Sequence, residues 1–124
     1  MRDSRWSQLY VSINPKGLIW LSGFTHQAMG EPDAYVIVYD PDMNVLGLQP
    51  GRANVTQNAY PAKPRGRHGG QLIRAYRLIR EFNLYVPETM WFPRSFIDNS
   101  GTLILELHDV KAATTKKRKS KYND

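Results

Sequence analysis

A chain of 124 residues, 41% apolar and 23% charged, is long enough for one domain or for two very small ones sharing a core. It contains no cysteine, which excludes disulfides and Cys-based zinc sites and agrees with a reducing compartment. No apolar run approaches the ~20 residues that a membrane helix needs, and residues 1–6 hold no apolar signal core, so a cytoplasmic protein without a membrane partner is expected.

The net charge of +6 is unevenly spread. Residues 1–51 carry three Lys/Arg against five Asp/Glu, whereas residues 52–124 carry fourteen against six. A field concentrated in one half attracts polyanions, nucleic acid foremost, and raises the rate of encounter with them.

In chain order, residues 6–13 alternate through Leu9, Val11 and Ile13 and predict a strand. Asn14-Pro15-Lys16-Gly17 follows as a turn, in which Pro15 fixes a corner and Gly17 can take a positive φ. Residues 18–21 predict a short buried strand, and Ser22 stands where the N-cap of a helix belongs. Phe24, Ala28 and Met29 form the apolar stripe of that helix, with Gly30 at its stop. Residues 34–39, rich in β-branched and aromatic side chains, predict a strand joined to its partner at 45–48 by a hairpin over 40–44.

The order then returns. Residues 58–63 predict a short segment that Pro61 and Pro64 confine to an extended or edge strand, and 66–70 a loose glycine-rich turn. Residues 71–73 predict a strand, 75–82 a helix with Tyr76, Ile79 and Phe82 or Leu78 and Phe82 facing in, and Asn83 its end. A strand at 89–92, a longer connection at 93–101 and a last strand at 102–107 complete the second half, and a disordered basic tail is expected from 111 onward. An offset of 53 residues lays Gly17 on Gly70, Ile19 on Leu72, Gly30 on Asn83 and Val38 on Trp91, the final strands needing about five or six further residues. The expectation is an α+β fold of two βαββ-type repeats, 1–51 and 52–110, around one small, mostly antiparallel barrel or sheet core with two short helices.

This arrangement resembles the swapped-hairpin repeat of AbrB-type and MraZ-type bacterial DNA-binding proteins. The residues that carry the resemblance are Lys16-Gly17-Leu18-Ile19-Trp20-Leu21, then 24–30, then Val36-Ile37-Val38-Tyr39 with Val45-Leu46-Gly47-Leu48. The match is one of order and spacing. The Asp-x-x-x-Arg signature of the MraZ type occurs in neither helix, and only the second helix region is basic, with Arg74, Arg77 and Arg80. The resemblance implies DNA contacts from each turn and helix start: Lys16 in the first half, and Arg65, Arg67, Arg74 and Arg77 in the second. Lys63 flanks the second turn and Arg80 continues the stripe of Arg74 and Arg77 at three-residue spacing, and both join the candidate contacts. Arginines on a rigid turn can pair with phosphates or reach guanine edges, and each neutralised phosphate releases counterions. Pro64-Arg65-Gly66-Arg67 also resembles the core of an AT-hook, which lies in a narrow minor groove. Lys116, Lys117, Arg118 and Lys119 in the tail would track phosphates without reading sequence.

Other chemistry finds less support. Asp40-Pro41-Asp42-Met43-Asn44 begins like a calcium loop, yet Val45 stands where the sharp turn needs Gly and Gly51 where a bidentate Glu belongs. His26, His68 and His108 have no metal-ligand spacing, and no phosphate loop or nucleophile motif occurs. Neither catalysis nor a cofactor is expected. The function expected is that of a small nucleic-acid-binding regulator with double-stranded DNA as partner, compatible with a homo-oligomer. The alternative is a non-catalytic interaction or structural module whose charge is incidental.

Overall fold

A computed structural model describes residues 9–112. The described residues form an α+β structure in which ten short strands make one curled antiparallel sheet, a half-barrel, accompanied by two short helices. In chain order these are β1 (Val11–Ile13), β2 (Leu18–Leu21), α1 (Gly23–Ala28), β3 (Ala34–Asp40), β4 (Val45–Gly51), β5 (Tyr60–Pro64), β6 (Gln71–Arg74), α2 (Tyr76–Glu81), β7 (Met90–Trp91), β8 (Phe96–Ile97), β9 (Leu103–Glu106) and β10 (Lys111–Ala112), with a 3-10 turn at Leu107–Asp109. Across the sheet the order is β10-β7-β1-β2-β6-β5-β3-β4-β9-β8. Among the described residues no helix is long and apolar enough to cross a membrane.

The first turn forms as its residues require. The side-chain carbonyl of Asn14 accepts the amide protons of Lys16 and Leu18, and Gly17 has φ 82°. That closes β1 on β2 with Ile13 opposite Ile19 and Val11 opposite Leu21. The second hairpin closes with Lys63 opposite Leu72 and Pro64 opposite Gln71, around a longer turn at 65–70. The two hairpins then join through β2 and β6, with Leu18 opposite Arg74 and Leu21 opposite Gln71.

Because cross-strand partners share a face, these registers sort the side chains. Val11, Ile13, Ile19, Leu21 and Ile73 point to the concave side, where Leu46, Leu48, Leu103 and Leu105 meet them together with Tyr35, Leu78 and Phe92. Each such side chain contributes about 1.5–3 kcal/mol on burial, and this shared core holds the halves together.

Four expectations are corrected. The strand β5 is not an edge: it pairs with β3 through Tyr60 and Pro61 and with β6 from Ala62 to Pro64. Its prolines fit because the amide of Ala62 between them donates to the carbonyl of Asp33. The helix faces also differ. Thr25 and His26 join Met29 on the buried side of α1 while Phe24 is 40% exposed, and of the two faces expected for α2 the one with Leu78 is buried while Tyr76 is 55% and Phe82 39% exposed. The connection at 93–101 contains β8, which pairs with β9. Finally, Lys111 and Ala112 are not tail but strand, paired with Trp91 and Met90.

Candidate nucleic-acid interface

The antiparallel pairing of β2 with β6 decides where the basic residues lie. The first turn adjoins Leu18 and the second adjoins Gln71, so the turns stand at opposite ends of the strand pair, separated by its length of about 10 Å. Lys16 is therefore grouped with Arg74, Arg77 and Arg80 at the end where α2 begins, and Arg65 and Arg67 stand at the other end, beside α1. All six side chains, and that of Lys63, are exposed. Among the described residues none of the seven forms a salt bridge with a carboxylate. Arg77 lies over the ring of Tyr60 at 5.3 Å and Arg80 over that of Tyr76 at 5.4 Å, contacts that orient the guanidinium groups without neutralising them. Lys116, Lys117, Arg118 and Lys119 lie outside the described residues.

Each turn is fixed by the start of a helix. Gly17 faces Tyr76 so closely that a Cβ on Gly17 would stand 2.7 Å from the Tyr76 Cα, and the amide of Ala75 donates to the Gly17 carbonyl at 2.8 Å. On the other side Gly23 lies against the carbonyl oxygen of His68. Arg65 and Arg67 are thus carried on a turn that is braced by α1, not on a free extended hook.

The convex face between the turns is aromatic and basic. Trp91, Ser12, Trp20, Leu72 and Lys63 are successive cross-strand partners, so they line one face, and Arg74, two residues from Leu72, joins them. Tyr10 stacks on Trp91 at 5.2 Å and meets Trp20 edge-on at 5.9 Å. The indole of Trp20 runs beneath the second turn. Its ring would stand 2.5 Å from a Cβ on Gly70, and its Nε1 faces the Arg65 carbonyl at 3.5 Å.

An open groove of about 1160 Å³ separates this turn from α1. One wall holds Arg65, Arg67 and His68; the other holds Glu31 and Asp33; Tyr10, Trp20 and Phe24 supply its aromatic surface. Asp33 is partly engaged, accepting the Ala53 amide proton at 2.9 Å. Deeper in α1, His26 Nδ1 and the Tyr35 hydroxyl lie 2.7 Å apart. Burial pushes the Tyr35 phenol well above its ordinary pKa and holds the His26 imidazole below its own, the nearby charge of Glu31 opposing the second shift. Both therefore stay neutral near pH 7 and act as packing for α1. Among the described residues no group of three or more His, Asp or Glu could hold a metal ion.

In the sequence Tyr10 and Trp20 are only members of two predicted strands, and nothing there shows the groove. The strict alternation of Tyr10 and Ser12 with buried Val11 and Ile13 was the available signal. It places Tyr10 on the outer face, but nothing local shows that Trp20 lies across a hairpin turn 45 residues away. No family model matches the chain, and neither a curated protein nor a solved structure is detectably similar to it.

Proposed function

We propose that the chain consists of two interleaved copies of one strand–turn–strand–helix–strand–turn–strand unit of the AbrB/MraZ kind, and that it binds double-stranded DNA as a regulatory protein. The internal register supports the repeat. The 53-residue offset carries Gly23 and Ala28, the ends of α1, onto Tyr76 and Glu81, the ends of α2. It also carries three bonds that close α1, from the amides of Met29, Gly30 and Glu31 to the carbonyls of Thr25, Gln27 and His26, onto those of Phe82, Asn83 and Leu84 with Leu78, Arg80 and Ile79. The same offset carries Leu18 onto Gln71 and Leu21 onto Arg74, so the β2·β6 pairing is its own image. With four more residues, fewer than the five or six expected from the sequence, it carries Leu46 onto Leu103 and Leu48 onto Leu105, and the β4·β9 pairing is again its own image.

The observation that carries the DNA reading is the set of seven exposed Lys and Arg side chains that have no carboxylate partner among the described residues. They occupy both ends of the central strand pair and the face between. Each phosphate they neutralise releases counterions, giving a slope in log K against log salt of about −0.9 per contact on duplex DNA. Fluorescence anisotropy of a labelled duplex, titrated at several salt concentrations, tests the proposal. The expected result is binding at low salt that weakens steeply as salt rises. No binding at low salt, or binding indifferent to salt, rejects it.

A further inference from the structure

We infer that the groove between α1 and the turn at 65–70 accepts unpaired nucleotides, with bases against its aromatic surface and phosphates against Arg65 and Arg67. The inference rests on the reading that the chain binds nucleic acid, and it names a second form of that ligand.

Three features of the groove point the same way. Its volume of about 1160 Å³ is larger than the ~300–1000 Å³ of a typical single-molecule site, so more than one nucleotide fits. Its aromatic lining comes from three separate elements: Tyr10 before β1, Trp20 on β2 and Phe24 on α1. Bases stack on such surfaces without regard to sequence, since every base presents a π-face. Phe24 is 40% exposed although it stands in the first turn of a helix whose opposite side is buried, and among the described residues it has no ring partner. An unpartnered aromatic at the mouth of a groove is available for stacking.

Charge then orients the strand. Arg65, Arg67 and His68 line the wall formed by the turn, and Glu31 and Asp33 line the facing wall. A phosphodiester backbone is attracted to the first wall and repelled from the second, so its bases turn toward Phe24 and Glu31. Glu31 and Gln27 there can accept protons from the exocyclic amino groups of bases. A duplex keeps its bases paired and stacked inside, offers no free base face to the groove, and would meet the convex face through its phosphates, with Lys63 and Arg74 there. Duplex and single strand thus share the arginines of the turn and the Tyr10–Trp20 edge of the convex face, whereas Phe24 belongs to the groove alone.

The test compares a labelled oligodeoxycytidylate of about six nucleotides with a labelled duplex on the full chain. Wild-type protein is expected to bind both. Phe24→Ala should weaken the oligonucleotide at least about five-fold more than the duplex, as befits loss of one stacked base. Arg65→Ala combined with Arg67→Ala should weaken both ligands. Arg77→Ala combined with Arg80→Ala, at the far end, should weaken the duplex more than the oligonucleotide. Duplex binding with no oligonucleotide binding overturns the groove proposal and leaves the duplex reading standing. Equal losses of both ligands on Phe24→Ala also overturn it. Absence of both kinds of binding removes the two readings together.

Discussion

Gly23, the first residue of α1, lies directly against the carbonyl oxygen of His68, leaving no room for a side chain between helix and turn. Its counterpart at the other end of the strand pair is Gly17 against Tyr76. Gly23 has an ordinary backbone conformation, so its constraint is steric alone, unlike that of Gly66, which has φ 96° and open space around it. Gly23→Ala should therefore force the turn away from α1, costing about 1–3 kcal/mol in overpacking, and should also weaken nucleic-acid binding through Arg65 and Arg67. Gly66→Ala should cost about 1–2 kcal/mol through its φ without disturbing the helix contact. Urea midpoints and duplex affinities for both variants separate the effects; a Gly23→Ala protein with unchanged stability would show that turn and helix are not braced.

The N-terminus of α1 makes a second prediction. Ser22 Oγ accepts the Thr25 amide proton at 3.2 Å, and Thr25 Oγ1 accepts the amide proton of Tyr10 at 2.7 Å. Thr25 Oγ1 is also 3.2 Å from the Tyr10 carbonyl, so one buried hydroxyl ties the helix to the chain ahead of β1. Ser22→Ala should cost about 1 kcal/mol, the usual worth of such a cap. Thr25→Val, which keeps the shape and takes the acceptor from the Tyr10 amide while the Tyr10 carbonyl keeps the Ser22 amide, should cost about 1–3 kcal/mol. In α2 the corresponding Ala75 makes no side-chain cap and is fully buried, so Ala75→Ser should bring no gain. Chemical denaturation of the three variants ranks them directly.

Which parts of this were legible in the sequence follows from the range of the interactions. The strands, turns and helices could be placed because their signals are local: Pro15 and Gly17 at one turn, Ser22 before a helix, β-branched residues from Val36 to Val38. The buried face of α1 was not, because six residues give fewer than two turns of periodicity. There Thr25 and His26 are drawn inward by Tyr10 and Tyr35, partners distant in the chain, and Phe24 is left outside. The strand β8 was hidden because two residues carry no alternation. The split of the basic residues between two ends was invisible for a further reason: it depends on β2 pairing antiparallel to β6, some fifty residues away, and nothing in either strand announces its partner.

The pair formed by His26 and Tyr35 predicts a pH dependence of stability. Burial holds the His26 pKa below its ordinary value, with Glu31 opposing, so the unfolded chain binds a proton more readily than the folded one. Stability from this group is fully present above the unfolded value of about 6.5 and is lost as pH falls from there through the lower folded value. His26→Gln removes the titrating group, so its urea midpoint should fall less between about pH 8 and pH 5 than that of the wild type. Parallel slopes for the two proteins would mean that His26 titrates alike in the folded and unfolded chains.

The separation of the basic residues yields the last prediction. Arg65 and Arg67 stand at one end of the central strand pair and Arg74, Arg77 and Arg80 at the other, with no shared partner between the groups. Sites that far apart act independently on a long rigid ligand, so their losses should add in free energy to within about 0.5 kcal/mol. Arg65→Ala with Arg67→Ala should lower the salt slope on duplex DNA by about two contacts, and Arg74→Ala with Arg77→Ala and Arg80→Ala by about three, each contact being worth about 0.9. The five-fold variant should then show the sum of both changes. Arg77 and Arg80 give up their contacts with the Tyr60 and Tyr76 rings, each worth about 0.5–1 kcal/mol at an exposed site. The variants should therefore lose no more than about 2 kcal/mol of stability, and urea unfolding run beside the titrations separates lost contact from unfolding. If one group carries the whole slope and the other none, the duplex meets a single end of the protein, and the convex face is not its seat.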